Sequence, residues 1–244
     1  MNSAIDSPKT HSIALVIPAW NEADALRQLL PEIPPHLVQW VVVVDNNSTD
    51  ATAQVARAQG AVVVSELQRG YGRACWRGVQ TASELGADLV VFMDGDGSDN
   101  PADLSRMLEP LLSEQADFVI GSRVGPQAEA GAVPPQARLG NWLISRMVSH
   151  LYGVHIHDIG SFRALRVEML KALQMQEMTF GWPVEMLVKA ARSRYRIVEL
   201  PLRYRCRSHG HSKVSGTLWG SIRAANAMLS TMVRYARKRE LRYV

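Results

Sequence analysis

Residues 89–101 read LVVFMDGDGSDNP: five apolar side chains run into three carboxylates, Asp94, Asp96 and Asp99, within six positions. An apolar run of this length, closed by Gly, Ser, Asn and Pro, reads as a strand buried on both faces that ends in a turn. The acids therefore stand at a strand's C-terminal end, where open α/β sheets bind their ligands. Asp94 and Asp96 alternate around Gly95, so both can approach one hard divalent cation, Mg2+ or Mn2+, that offsets their repulsion. A solvated turn uses the same residue types. A calcium loop of the EF-hand kind needs a Glu near its twelfth position inside a helix-loop-helix, and Ser105 stands there after a β-type run.

On either side of this stretch, short apolar strands alternate with amphipathic helices. The pattern predicts strands over 12–18 (SIALVIP), 40–44, 61–65, 89–93, 118–121 and 197–204. It predicts helices over 22–30, 51–59, 74–85, 138–152 and from about 218 to 239, with a Gly/Ala/Pro-rich loop over 127–135. Such alternation means βαβ units and an α/β fold with a mostly parallel central sheet flanked by helices, whose usual guest is a nucleotide.

With 244 residues, 47% hydrophobic and 20% charged, the chain suits one α/β domain with appendages and is neither disordered nor fibrous. Its two cysteines, Cys75 and Cys206, are too few for a disulfide scaffold and lack metal-ligand spacing, so a reducing cytoplasm is expected. The opening MNSAIDSPKTHS has no basic-then-apolar signal pattern, and no apolar run nears the roughly 20 residues of a membrane span. A cytoplasmic protein follows, with a peripheral place at the inner face of the membrane left open. Residues 1–202 carry 17 Lys/Arg against 22 Asp/Glu, net −5, whereas residues 203–244 carry 10 against 1, net +9. That basic C-terminal sixth points to an anionic partner: phosphate groups, lipid headgroups or nucleic acid.

Four motifs stand in order on strand ends: Pro18-Ala19-Trp20-Asn21-Glu22, Asp45-Asn46-Asn47-Ser48-Thr49-Asp50, Asp94-Gly95-Asp96 and Gly121-Ser122-Arg123. Together they resemble the signatures of family-2 glycosyltransferases, a GT-A fold, and are most similar to those of the dolichyl-phosphate mannose synthases and their bacterial relatives. Pro18, Trp20 and Glu22 offer an apolar wall and a carboxylate suited to a nucleobase. Asp45 can accept from the base or ribose, while Ser48 and Asp50 are explained by capping the next helix. Arg73, in Gln68-Arg69-Gly70-Tyr71-Gly72-Arg73, resembles the cation of the family's glycine-rich loop that reaches nucleotide and sugar. The resemblance implies that Asp96 ligates the Mg2+ or Mn2+ on the diphosphate, with Asp94 beside it on ribose or sugar. Relatives often carry a Gln ligand where this chain has Ser98, which the resemblance makes a weaker ligand of the same metal.

The family usually supplies a general base from a Glu-Asp pair ahead of a helix, and Trp182 and Pro183 stand there instead. Neither can take a proton. An acceptor that is already a phosphate anion needs no base, but it needs cations, and Arg123, Arg138, Arg207 and Lys213 are candidates, with His209 beside the last two. Asp158, in a stretch resembling the family's Asp-x-x-Ser-Gly-Phe-Arg, could orient the acceptor or an arginine, or act as a base after all. Residues 1–217 are expected to form the glycosyltransferase domain and 218–244 a basic amphipathic helix that packs on the body or lies on a membrane surface. The expected activity is an inverting, metal-dependent transfer of hexose from a UDP-glucose- or GDP-mannose-type donor to a phosphate acceptor, polyprenyl phosphate first. A soluble phosphate or hydroxyl acceptor is the alternative enzyme reading. A non-catalytic nucleotide or nucleic-acid binder is the alternative of another class, disfavoured because the basic tail lacks interleaved aromatics.

Overall fold

The structure, a computed structural model, describes residues 11–207 and 218–237. Along the chain run β1 (Ile13–Ala19), α1 (Ala23–Glu32), β2 (Trp40–Asp45), α2 (Thr52–Ala58), β3 (Val62–Ser65), α3 (Tyr71–Glu84) and β4 (Leu89–Phe92). Then come α4 (Leu104–Leu112), β5 (Phe118–Ser122), α5 (Pro135–Tyr152), β6 (Arg163–Arg166), α6 (Val167–Ala172), α7 (Trp182–Arg192), β7 (Ile197–Pro201) and α8 (Leu218–Arg237). The strands make one seven-stranded sheet in the order β3-β2-β1-β4-β6-β5-β7. β6 runs antiparallel to both of its neighbours, and the other pairings are parallel.

The apolar runs over β1, β4 and β5 are strands covered on both faces. Ala14 and Val16 of β1, with Val90 and Phe92 of β4, join one core layer under α3, while Ile13, Leu15, Leu89 and Val91 join the other with α1 and α4. Alternate side chains of one strand thus enter two separate cores, which is why these segments show no polar face.

Several expectations shift. The strand expected to reach residue 204 ends at Pro201, and Tyr204 only bridges to Asp99 and Ala128. α3 starts at Tyr71 rather than 74, taking Arg73 into its first turn. β6 was not foreseen, because its sequence, Arg-Ala-Leu-Arg, has charge at both ends. α8 packs on α7 and α5, burying Ala224, Met232 and Tyr235. No helix among the described residues is long and apolar enough to cross a membrane.

Candidate active site

The register of β1 on β2 sets Ala19 beside Asp45, so the turns that follow these strands meet. Asn21, with φ of 52°, donates its N–H to Ser48 Oγ at 3.0 Å and accepts from Thr49 N–H at 2.8 Å. Asp50 accepts from the N–H groups of Ala23 at 3.2 Å and Thr52 at 3.0 Å, serving the first turns of α1 and α2 together. Ser48 therefore ties the two turns together instead of capping α2. Asp45 accepts Ser48 N–H at 3.0 Å through one oxygen, so it is partly used in shaping the turn. The wall of Pro18, Trp20 and Glu22 stands next to it, and the Arg69 guanidinium lies 3.7 Å from the Trp20 ring centroid, a cation–π contact.

The glycine-rich loop answers to a chain crossing. A Cβ on Gly70 would lie 2.5 Å from Met178 O, and one on Gly72 would lie 2.6 Å from Glu177 O. Asn46, buried, holds the loop from the other side, accepting Gly70 N–H at 2.9 Å and donating to Glu66 O and Gln68 O at 3.0 and 2.8 Å. Arg73 N–H donates to Met178 O at 3.1 Å, and its side chain is half-buried.

The three carboxylates after β4 lie together, Asp96 and Asp99 buried and Asp94 part-buried. Asp94 N–H donates to Asp99 Oδ2 at 3.2 Å, and Tyr71 Oη lies 3.4 Å from Asp94 Oδ1. Burial first, and then the Asp96 charge, push the Asp94 carboxyl up to about 6. Burial, Asp94 and Asp96 push Asp99 well above the usual range. Buried Ser161 lies near Asp94, its hydroxyl making no hydrogen bond of ordinary geometry. Crowded oxygen donors with an orphaned hydroxyl suit a hard cation. Among the described residues no group of three His, Cys, Asp or Glu side chains could hold one alone.

Ser98, expected as a weak ligand of the metal, turns to Asp96. Its hydroxyl and N–H both donate to Asp96 Oδ1, at 2.5 and 2.9 Å, because two-residue spacing lets it fold back on the carboxylate. Asp96 Oδ2 meets Arg207 Nη2 at 2.6 Å, and Arg207 Nη1 lies 3.6 Å from Glu22. Arg207, expected with the acceptor, thus sits on the residues assigned to donor and metal. It is carried there by the segment after β7: Arg203 holds buried Asp103, and Arg205 N–H donates to Ser98 O at 2.8 Å. His209 and Lys213 lie outside the described residues.

Of the residues expected at the acceptor, Arg123 grips Asp158 through Nε to Oδ2 at 2.7 Å, Nη2 to Oδ1 at 2.9 Å and backbone N–H to Oδ2 at 2.9 Å. Ile159 N–H donates to the same carboxylate at 2.8 Å. Burial raises the Asp158 carboxyl, but the charge and donors of Arg123 outweigh that and hold it below the usual range. A carboxylate so stabilised and so fully bonded makes a poor proton acceptor, which weighs against the base and for the alternative expectation that Asp158 orients an arginine. A Cβ on Gly160 would lie 1.9 Å from Gly121 O, so only glycine lets this turn press on β5 beside Arg123. Glu199 of β7, not foreseen, accepts from Asp158 N–H at 2.8 Å and lies 2.8 Å from His157 Nδ1. Its one sequence signal was an acid within a strand.

Arg123, exposed Arg138, His157 and Asp158 line a groove of about 470 Å³ whose other walls include Val133, Leu139 and Trp142. At the start of α7, Trp182 and Pro183 are buried. Fully buried Glu185 accepts Gln176 N–H at 3.0 Å and Glu177 N–H at 2.6 Å and pairs with Lys189 at 2.8 Å. Tyr235 of α8 also donates to it. Glu185 therefore holds a turn and a helix in place.

The model of the family described as Glycosyl transferase family 2 matches residues 14–174, from β1 through α6. An uncharacterised glycosyltransferase of Mycobacterium tuberculosis is 39% identical over 212 residues, 86% of this chain and 93% of that protein. The undecaprenyl-phosphate mannosyltransferase of Micrococcus luteus is 32% identical over 219 residues, 85% and 89% of the two chains. Among solved structures, glucosyl-3-phosphoglycerate synthase of Mycobacterium tuberculosis in complex with Mg2+ and uridine diphosphate superposes with a TM-score of 0.75 at 24% identity, covering 94% of this chain and 81% of that one. The architecture is the expected GT-A fold, and with two thirds of its length matched by the family model the chain belongs to glycosyl transferase family 2.

Proposed function

We propose that this glycosyltransferase moves a hexose, with inversion, from a nucleoside-diphosphate sugar to a polyprenyl phosphate, using Mg2+ or Mn2+ held by Asp96 and Asp94. Pro18, Trp20, Glu22 and Asp45 would take the base and ribose, with Arg73 toward the diphosphate and sugar. The bound cation would serve as a Lewis acid for the charge that grows on the leaving diphosphate. Arg207, already on Asp96, offers a second positive charge beside the same group. An acceptor phosphate oxygen held by Arg123 and Arg138 attacks the sugar C1, the bond from C1 to the diphosphate oxygen breaks, and the nucleoside diphosphate leaves with the electron pair.

One observation carries the acceptor class: the groove presents Arg123 and Arg138 against apolar walls, while its one carboxylate, Asp158, is spent on Arg123. Such a lining fits an anion joined to a hydrocarbon chain that needs no deprotonation. The name of the Micrococcus luteus relative, an undecaprenyl-phosphate mannosyltransferase, supports the same class. The Mg2+ and uridine diphosphate in the glucosyl-3-phosphoglycerate synthase complex support the metal and the donor type.

The pairing of His157 Nδ1 with Glu199 at 2.8 Å favours a second reading, since a histidine oriented by a carboxylate can serve a hydroxyl acceptor as base. The test offers undecaprenyl phosphate, undecaprenol and 3-phosphoglycerate in turn, with UDP-glucose or GDP-mannose and Mn2+, to the parent and to His157→Gln. Transfer to the polyprenyl phosphate alone, kept in His157→Gln, is expected. Transfer to the alcohol that His157→Gln abolishes would replace this reading with the second.

A further inference from the structure

We propose that the outer face of α5 seats the protein on an anionic lipid bilayer, an inference that deepens the polyprenyl-phosphate reading and rests on it. The basic amphipathic segment expected at 218–239 contains α8, but α8 turns Ala224, Met232 and Tyr235 inward, with Val233 exposed. α5 does the reverse. It buries Ile144, Ser145 and Val148 and exposes Leu139 at 66%, Trp142 at 56%, Leu143 at 43% and Leu151 at 50%. These are four of the eight large apolar side chains exposed among the described residues. Positions 139, 142, 143 and 146 fall on one side of a helix by their three- and four-residue spacing, so an indole and two leucines stand with Arg146 between them.

The charge of α5 chooses the occupant. Its 18 residues contain Arg138, Arg146 and His150 and no acid. Two copies meeting on this face would oppose arginine to arginine with no carboxylate to pair them, whereas an anionic bilayer complements them. Leu and Trp at the headgroup level, with Arg reaching back toward phosphates, is the composition of a helix lying in a membrane interface. The surface also runs into the groove, because Leu139 and Trp142 belong to both. A polyprenyl chain could stay in the bilayer while its phosphate reaches Arg138 and Arg123.

Flotation of the full chain with vesicles of phosphatidylcholine and phosphatidylglycerol, and with phosphatidylcholine alone, tests the proposal without donor or polyprenyl phosphate. The parent should bind the mixed vesicles, less so at high salt. Trp142→Ser/Leu143→Ser should bind roughly tenfold more weakly or worse, with an unchanged Tm because both side chains are exposed. Val233→Ser on α8 should bind as the parent does. Failure of the parent to bind, loss of binding in Val233→Ser alone, or a dimer that the α5 variant dissociates in sedimentation would each overturn the proposal. Vesicle binding through α5 by a protein that transfers only to hydroxyl or soluble acceptors would refute the functional reading alone. Transfer to polyprenyl phosphate in detergent by a protein that ignores vesicles would refute this inference alone.

Discussion

Asp158→Asn removes the charge that balances Arg123 without changing the volume of the side chain. Asp158 is 2% exposed and Arg123 18%, and three donors of Arg123 reach the carboxylate at 2.7 to 2.9 Å. Taking away one partner of a buried pair costs about 3–5 kcal/mol. The groove lets water reach the Arg123 guanidinium in part, which places the cost at about 3 kcal/mol, or a Tm lower by about 6–12 °C for a domain of this size. Because the folded state holds the Asp158 carboxyl below its usual range, its stabilisation is complete above the unfolded value and fades as pH falls through the folded one. The Tm gap between parent and variant should therefore be widest near neutrality and narrow below about pH 4. Calorimetric melts across pH, paired with transfer rates at a temperature where both proteins are folded, measure the two effects separately. A Tm within about 1 °C of the parent would show that the ion pair bears no load. A folded variant whose turnover drops by about 10²–10⁴ and whose acidic limb disappears would restore Asp158 as a base.

Arg207→Ala should remove one competing cation from Asp96 and tighten Mn2+ binding in the absence of nucleotide by calorimetry; weaker binding would mean that Arg207 does not compete for that carboxylate. The Asp94 carboxyl, raised to about 6, keeps its proton below that pH, so Mn2+ affinity followed by electron paramagnetic resonance should fall on acidification through pH 6. A flat profile between pH 5 and 7 would remove Asp94 from the site. Gly72→Ala puts a Cβ 2.6 Å from Glu177 O and should cost about 1–3 kcal/mol in urea unfolding, whereas Gly140→Ala, with nothing within 4 Å inside α5, should be neutral or stabilise by up to about 1 kcal/mol. Equal effects of the two would deny the chain crossing at Gly72.

The sequence by itself determined the sheet's parallel half and the place of the carboxylates. Strands β1, β2 and β4 are covered on both faces, so their burial is written as unbroken apolar runs, and Asp45 and Asp94–Asp96 follow at their ends. Where a strand carries charge that the tertiary structure satisfies, the record is lost. β6 begins with Arg163, whose buried guanidinium donates to Gly160 O and Pro183 O at 2.7 and 2.6 Å, and nothing local announces those acceptors. Partner choice among charges was equally hidden. Arg207 meets Asp96, Arg123 pairs with Asp158, and Glu185 closes on Lys189, because the nearest opposite charge is set by where strands and turns converge. The orientation of the amphipathic helices was the last thing only the structure decided. A periodic apolar stripe records that one side of a helix avoids water, on α5 as on α8, but whether that side meets a protein core or stands exposed depends on the neighbours that cover it.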